Sequence, residues 1–199
     1  TMFEMFTNDN DGYFNRGWDV GETELWMNAL RPYYKENWKL LLCPTARSTL
    51  GIPGGYGYGV FKAWYRYVDL PGGGQYHYVS SYGINSWTNN MTYDRGNRPE
   101  GWFWKNVQSV KGKNNIPVFA DARWHDAWPR FIDTPAPSPD AYGIENMGIT
   151  EINLFCIDRH NGATNMLFMD FSARKVGLKE LWTLKWSRNF NTEGPWTKA

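Results

Sequence analysis

A chain of 199 residues with 21 basic and 20 acidic side chains carries a formal charge of +1, which argues against the one-sided basic excess of a nucleic-acid footprint. No run approaches the roughly eighteen consecutive apolar residues of a membrane span, and no secretory n-region and h-region pattern is present. The length fits one large domain or two small ones, and no linker divides it, so one domain over residues 1–199 is expected. Aromatics are the outlier, with 12 Trp, 12 Tyr and 11 Phe against sparse Leu, Ile and Val. A core built from rings, with polar ends reaching loop backbone, is the expected consequence. A ring platform that stacks on sugar faces is the alternative.

In chain order, Met2, Phe3 and Phe6 share one helical face, and residues 1–8 read as the end of a helix. The run NDNDG (8–12) breaks it. A calcium loop would place Asp9 and Asp11 at the third and fifth ligand positions. Thr7 and Trp18 would then hold the first and twelfth, where such loops need carboxylates, so a helix C-cap is the better reading. Residues 23–34 carry Leu25, Trp26, Ala29, Leu30 and Tyr33 at helical spacing. Residues 40–43 read as a short apolar strand stopped by Pro44. A glycine-rich run (GIPGGYGYG, 51–59) matches neither phosphate-binding pattern. Alternating Phe61, Ala63, Tyr65 and Tyr67 suit a strand. Residues 78–84 and 116–121 are further strands, Trp102, Phe103 and Trp104 anchor a polar stretch, and the Pro-rich residues 133–142 read as an exposed loop.

Residues 155–186 organise the rest. Asn161 and Gly162 tolerate positive φ and form a strong turn dipeptide. The run MLFM (166–169) reads as a strand buried on both faces. Residues 170–173 reverse the chain, Arg174–Val176 return it, and Gly177 ends the strand. Leu178, Leu181, Trp182 and Trp186 then suit a short helix or closing tail.

Chemistry is scarce. The histidines are His77, His125 and His160, and no nucleophile elbow or zinc-protease motif is present. Asp121, His125 and Asp126 form the best cluster for a metal or for acid–base work; structural hydrogen bonding to loop backbone is the simpler role. His160 and Asp170 are separated by roughly 25 Å if the chain between them is extended at ~3.3 Å per residue. Separate roles follow: His160 pins the loop before the strand, and Asp170 accepts backbone N–H groups at the turn after it.

His160, nine residues, then Asp170 resembles the H-X9-DG signature of pseudopilin-like proteins of type II secretion and type IV pilus-like systems. NDNDGYF (8–14), LRPYYKENWKLLLCP (30–44), SYGIN (81–85) and IPVFAD (116–121) are similar to further segments of that family, in its order. The chain departs from the pattern at Phe171, where the family has Gly, and it opens inside what would be the family's long helix.

The resemblance implies an α+β head: the end of an N-terminal helix packed on an antiparallel β-sheet, with long aromatic-rich loops. It implies a structural filament subunit rather than an enzyme, exported and anchored in the inner membrane before assembly by the upstream part of that helix. Its partners would be copies of itself or related pseudopilins and the secretion or pilus assembly machinery, with no cofactor and calcium only a lesser option. Met2, Phe3 and Phe6 would belong to the assembly helix. In an exported chain Cys43 and Cys156 would most simply pair as a disulfide; two buried free thiols are the alternative. An exported carbohydrate-binding module, gripping surface glycan with loop Trp and Tyr, is the rival reading, and a hydrolase using Asp121, His125 and Asp126 a further one.

Overall fold

A computed structural model of the chain describes residues 1–35, 37–46, 60–70, 72–135 and 150–197. The glycine-rich run 51–59 and positions 136–142 of the Pro-rich loop lie outside them. The fold is mixed α+β, with a few short helices and two sheets.

Helix α1 (Met2–Asp9) buries Phe3 and Thr7 and leaves Met5 exposed, as one apolar stripe dictates. It ends as a cap should. Gly12, at φ 83°, lets its N–H reach back to the Thr7 carbonyl at 2.7 Å, and Asn10 Nδ2 donates to the Phe6 carbonyl at 2.7 Å. The single helix expected over 23–34 is instead three short pieces: a 3₁₀ turn (Glu22–Glu24), α2 (Trp26–Ala29) and α3 (Arg31–Tyr34). Leu25 is extended at ψ 147°, which separates the first two, and Pro32 has no N–H to continue a ladder between α2 and α3. The apolar run 40–43 is not a strand either. Trp38–Leu41 is a 3₁₀ turn, and the Leu41 carbonyl serves Ser81 N–H and the Ser80 hydroxyl across the chain.

Strands β1 (Trp64–Asp69) and β2 (Gln75–Ser80) form an antiparallel hairpin. It buries Trp64 and Val68 rather than the Phe61–Tyr67 alternation; Phe61 and Tyr67 are among the exposed rings. The expected strand at 78–84 is divided at Ser81, so that β3 (Tyr82–Asn85) enters a different, five-stranded sheet. Its order is β5-β3-β4-β6-β7, with β4 (Pro117–Asp121), β5 (Asp126–Ala127), β6 (Ala163–Phe168) and β7 (Ala173–Gly177). Four strands pair antiparallel and β5 pairs parallel to β3, so the sheet is mixed rather than purely antiparallel. Gly83 is required in β3 because a Cβ there would come within 2.4 Å of the Trp124 carbonyl oxygen.

The carboxy-terminal stretch folds largely as its sequence reads. Asn161 and Gly162 take φ 56° and 76° before β6. β6 begins earlier than the apolar run and exposes Asn165, while Met166, Phe168 and Met169 are buried. The reversal after it is made with Phe171 itself in the left-handed region, φ 63°. A 3₁₀ segment (Leu178–Thr183) then closes the core with Leu181 and Trp182, and Trp186 follows. The core is aromatic: Trp26, Trp64, Trp87, Trp186, Tyr34, Tyr78, Phe103, Phe155, Phe168 and Phe190 are fully enclosed; the four indole N–H groups and the Tyr34 hydroxyl find backbone carbonyls, and the Tyr78 hydroxyl finds the Asn28 side chain. Trp26 Nε1 donates to the His125 carbonyl and Trp87 Nε1 to that of Pro129, each at 2.8 Å.

Candidate functional site

Two polar constellations stand out. The first centres on Asp121, at the carboxy-terminal end of β4 and wholly buried. Its Oδ1 accepts from Arg159 Nη1 at 3.0 Å, and its Oδ2 accepts from Asn165 N–H at 2.9 Å and lies 3.0 Å from His160 Nε2. Arg159 spreads its remaining donors over the carbonyls of Val60, Ser81 and Lys62 at 2.7, 2.7 and 3.2 Å. Cys43 joins through Ser81: its N–H donates to Ser81 Oγ at 2.6 Å, and its Sγ sits 3.5 Å from His160 Nε2. Burial, then the neighbouring Cys43 and Asp121, push the Tyr82 phenol well above its ordinary pKa.

Among the described residues the group of three or more potential ligands close enough to share a cation is Cys43, Asp121 and His160. Their chemistry suits a structural knot better than a metal. A buried guanidinium already neutralises Asp121, and a cation would have to come between His160 and Asp121 while sitting beside that charge. Asp9 and Asp11 form no such group: Asp9 accepts from the Tyr33 hydroxyl at 2.8 Å, and Asp11 occupies the turn at φ 51°.

The expected disulfide is not formed. Cys43 and Cys156 are both free and buried, Cys43 engaged in the knot beside Thr45 and His160. Cys156 follows a separate 3₁₀ turn (Glu151–Leu154), where burial pushes its thiol up to about 11. His160 and Asp170 stand at opposite ends of β6, as their separate roles require. Asp170 Oδ1 accepts the N–H and hydroxyl of Ser172 at 3.0 and 2.6 Å, and that hydroxyl holds its carboxyl below the usual range.

The second constellation lies at the other end of the cluster expected from sequence, which the structure splits. His125 and Asp126 leave Asp121 to the knot and turn to a cavity of about 200 Å³ lined by Trp18, Arg66, Trp124, His125, Asp126, Trp128, Glu151 and Leu154. β5 fixes the pair, because the His125 carbonyl receives Ile84 N–H as β3 and β5 align. Arg66, on β1, approaches His125 Nε2 at 2.5 Å and pairs with Glu22 at 2.7 Å. A guanidinium only donates, so Nε2 accepts and the ring proton sits on Nδ1. Nδ1 lies 2.9 Å from Asp126 Oδ1 but finds no well-directed hydrogen bond there. The Arg66 guanidinium covers the Trp18 ring at 4.3 Å, and that of Arg98 covers Trp128 at 3.5 Å. Glu151 accepts from Trp128 N–H at 2.6 Å; burial is the larger influence and lifts its carboxyl to about 7.

Arg159, Arg66, Glu151 and the indole trio escape a reading of sequence alone. Only the spacing of WHDAW (124–128) hints at rings flanking the His–Asp pair. Compared with family models, curated proteins and solved structures, the chain matches none.

Proposed function

We infer that the chain is the head of a structural subunit of a pseudopilus or pilus-like filament. The observation that carries the reading is the knot. Segments 30–44, 81–85, 116–121 and the His160 turn are far apart in sequence and each resembles the same family. They meet at one buried point through Cys43, Ser81, Asp121 and the Arg159–His160 pair. Shared motifs that converge on a saturated polar knot are what a common scaffold needs, since an unmade hydrogen bond inside costs more than a made one gains.

The helix–sheet arrangement belongs to the same proposal. The Phe3 ring lies 5.1 Å from that of Phe119 on β4. An apolar groove of about 270 Å³ runs beside Thr1 and Phe3 along Tyr82, Phe119 and Leu167. A helix of eight residues is marginal alone. In this reading α1 continues upstream as an apolar helix that lies on the sheet, anchors the subunit in the inner membrane and then packs with its neighbours in the filament. The head needs no cofactor and catalyses nothing.

The upstream coding sequence tests this. About 20 apolar residues behind a prepilin cleavage site support it. A signal peptide joined directly to Thr1 would overturn it in favour of a free exported module.

A further inference from the structure

The filament reading uses the knot and the helix, and leaves the cavity at Arg66 without a role. We propose that this cavity binds a neutral saccharide, one pyranose ring at a time, whether or not the chain assembles. Three of its features point to a ligand, and together they select this class.

The first is unmet hydrogen bonding. Trp128 is 5 % exposed, and among the described residues its indole N–H has no acceptor, nor has the buried Arg66 Nε–H of the same lining. Most buried donors in folded chains are satisfied, so two at one cavity call for an outside acceptor. The second is charge. Arg66 is already paired with Glu22, while Asp126 and Glu151 present carboxyl groups to the same space. An anion meets those carboxyls and a cation meets Arg66. A hydroxyl suits both, accepting from the orphan donors and donating to the carboxyl oxygens. The third is the wall. Trp18 and the half-buried Trp124 line it with indole surface, Trp18 keeping 38 % of its surface exposed at the rim with Arg66 on one face of its ring, while Trp128, covered by Arg98, contributes its N–H. The C–H faces of a pyranose are what such rings cover, and the aromatic excess of the chain gains a use at this one place. A site of this kind orients its ligand by a few convergent polar groups and gains most of its contact from the rings.

The test is titration of the folded chain with glucose, galactose, mannose, N-acetylglucosamine and fucose, read by tryptophan fluorescence and calorimetry, with inorganic phosphate and glucuronate as anionic probes. At least one neutral sugar should bind. Trp128→Phe, which keeps the ring and removes the donor, should weaken it about tenfold. Trp18→Ala, at an exposed position that leaves the core intact, should weaken it by a similar factor, while Trp196→Ala, at an exposed ring outside the lining, should not. Circular dichroism confirms folding of each variant. Absence of binding by all five neutral sugars, binding by the anions alone, or binding that both Trp128→Phe and Trp18→Ala leave unchanged would overturn the proposal.

Discussion

Replacing Arg159 with methionine removes the charge that neutralises Asp121 while keeping much of the side chain's bulk. Both side chains are fully enclosed, so no water screens what is left. Stranding one partner of a buried pair costs about 3–5 kcal/mol. The same change strips donors from the Val60, Ser81 and Lys62 carbonyls, and each unmet group adds roughly 1 kcal/mol. Against a typical total stability of about 5–15 kcal/mol, this is a large share. At about 2–4 °C per kcal/mol for a chain of this size, the midpoint should fall by at least about 6 °C. Asp121→Asn should cost a comparable amount, because it leaves the guanidinium without its counter-charge. The double variant should cost less than the two added together, with a coupling of about 0.5–3 kcal/mol. Urea denaturation of the four proteins measures the free energies and their coupling, and thermal melts measure the midpoint. Single variants that cost less than about 1 kcal/mol, or that add without coupling, would refute the knot as the fold's polar anchor.

Other consequences are equally open to measurement. Phe171 holds φ 63° without being glycine, so Phe171→Gly should be more stable than Phe171→Ala by about 1 kcal/mol, since both lose the ring and only glycine escapes the strain; thermal melts with the reverse order would contradict this. The Glu151 carboxyl, lifted by burial from 4.5 to about 7, ionises later in the folded chain than in the unfolded one. Its stabilising contribution is therefore intact below pH 4.5 and lost as pH rises to about 7, a change of about 3 kcal/mol that Glu151→Gln should remove. Asp133, raised to about 6 by the same cause, adds a slope of the same sign, and a stability difference between wild type and Glu151→Gln that stays flat across that range would sink the assignment. Both cysteines should alkylate under denaturing, non-reducing conditions, with Cys156 slow in the native state because its thiol is pushed up to about 11; a mass showing a bridge would contradict the free pair.

Local signals were legible where backbone chemistry dictates them. The Asn161–Gly162 turn, the Asp170–Ser172 cap and the end of α1 at Asp9 each follow from residues that make their own turn. Periodicity alone misled at residues 23–34 and 40–43, because apolar spacing records which side chains are buried and not whether the backbone between them is continuous. Leu25 and Leu41 are buried within 1 % of full enclosure, yet on 3₁₀ turns and extended links. The knot is half visible in the sequence: His160 stands out, whereas proximity along the chain groups its partner Asp121 with His125. The sheet separates them: Asp121 stands opposite Tyr82 on one side of β3 and reaches Asn165 on β6 with its carboxylate, while Asp126 stands opposite Ile84 on the other side of β3. The cavity was less visible still, because Trp18, Arg66 and Glu151 reach it from three remote segments.

The most direct measurement of the filament proposal is analytical ultracentrifugation of two proteins, the 199-residue chain and the same chain extended by the apolar upstream helix that the proposal requires. The first should be a monomer or weak oligomer and the second should form filaments or insert into membrane, because burial of the apolar helix beside its neighbours supplies the driving force. Long filaments from the 199-residue chain alone would contradict it, since assembly would then reside in the head.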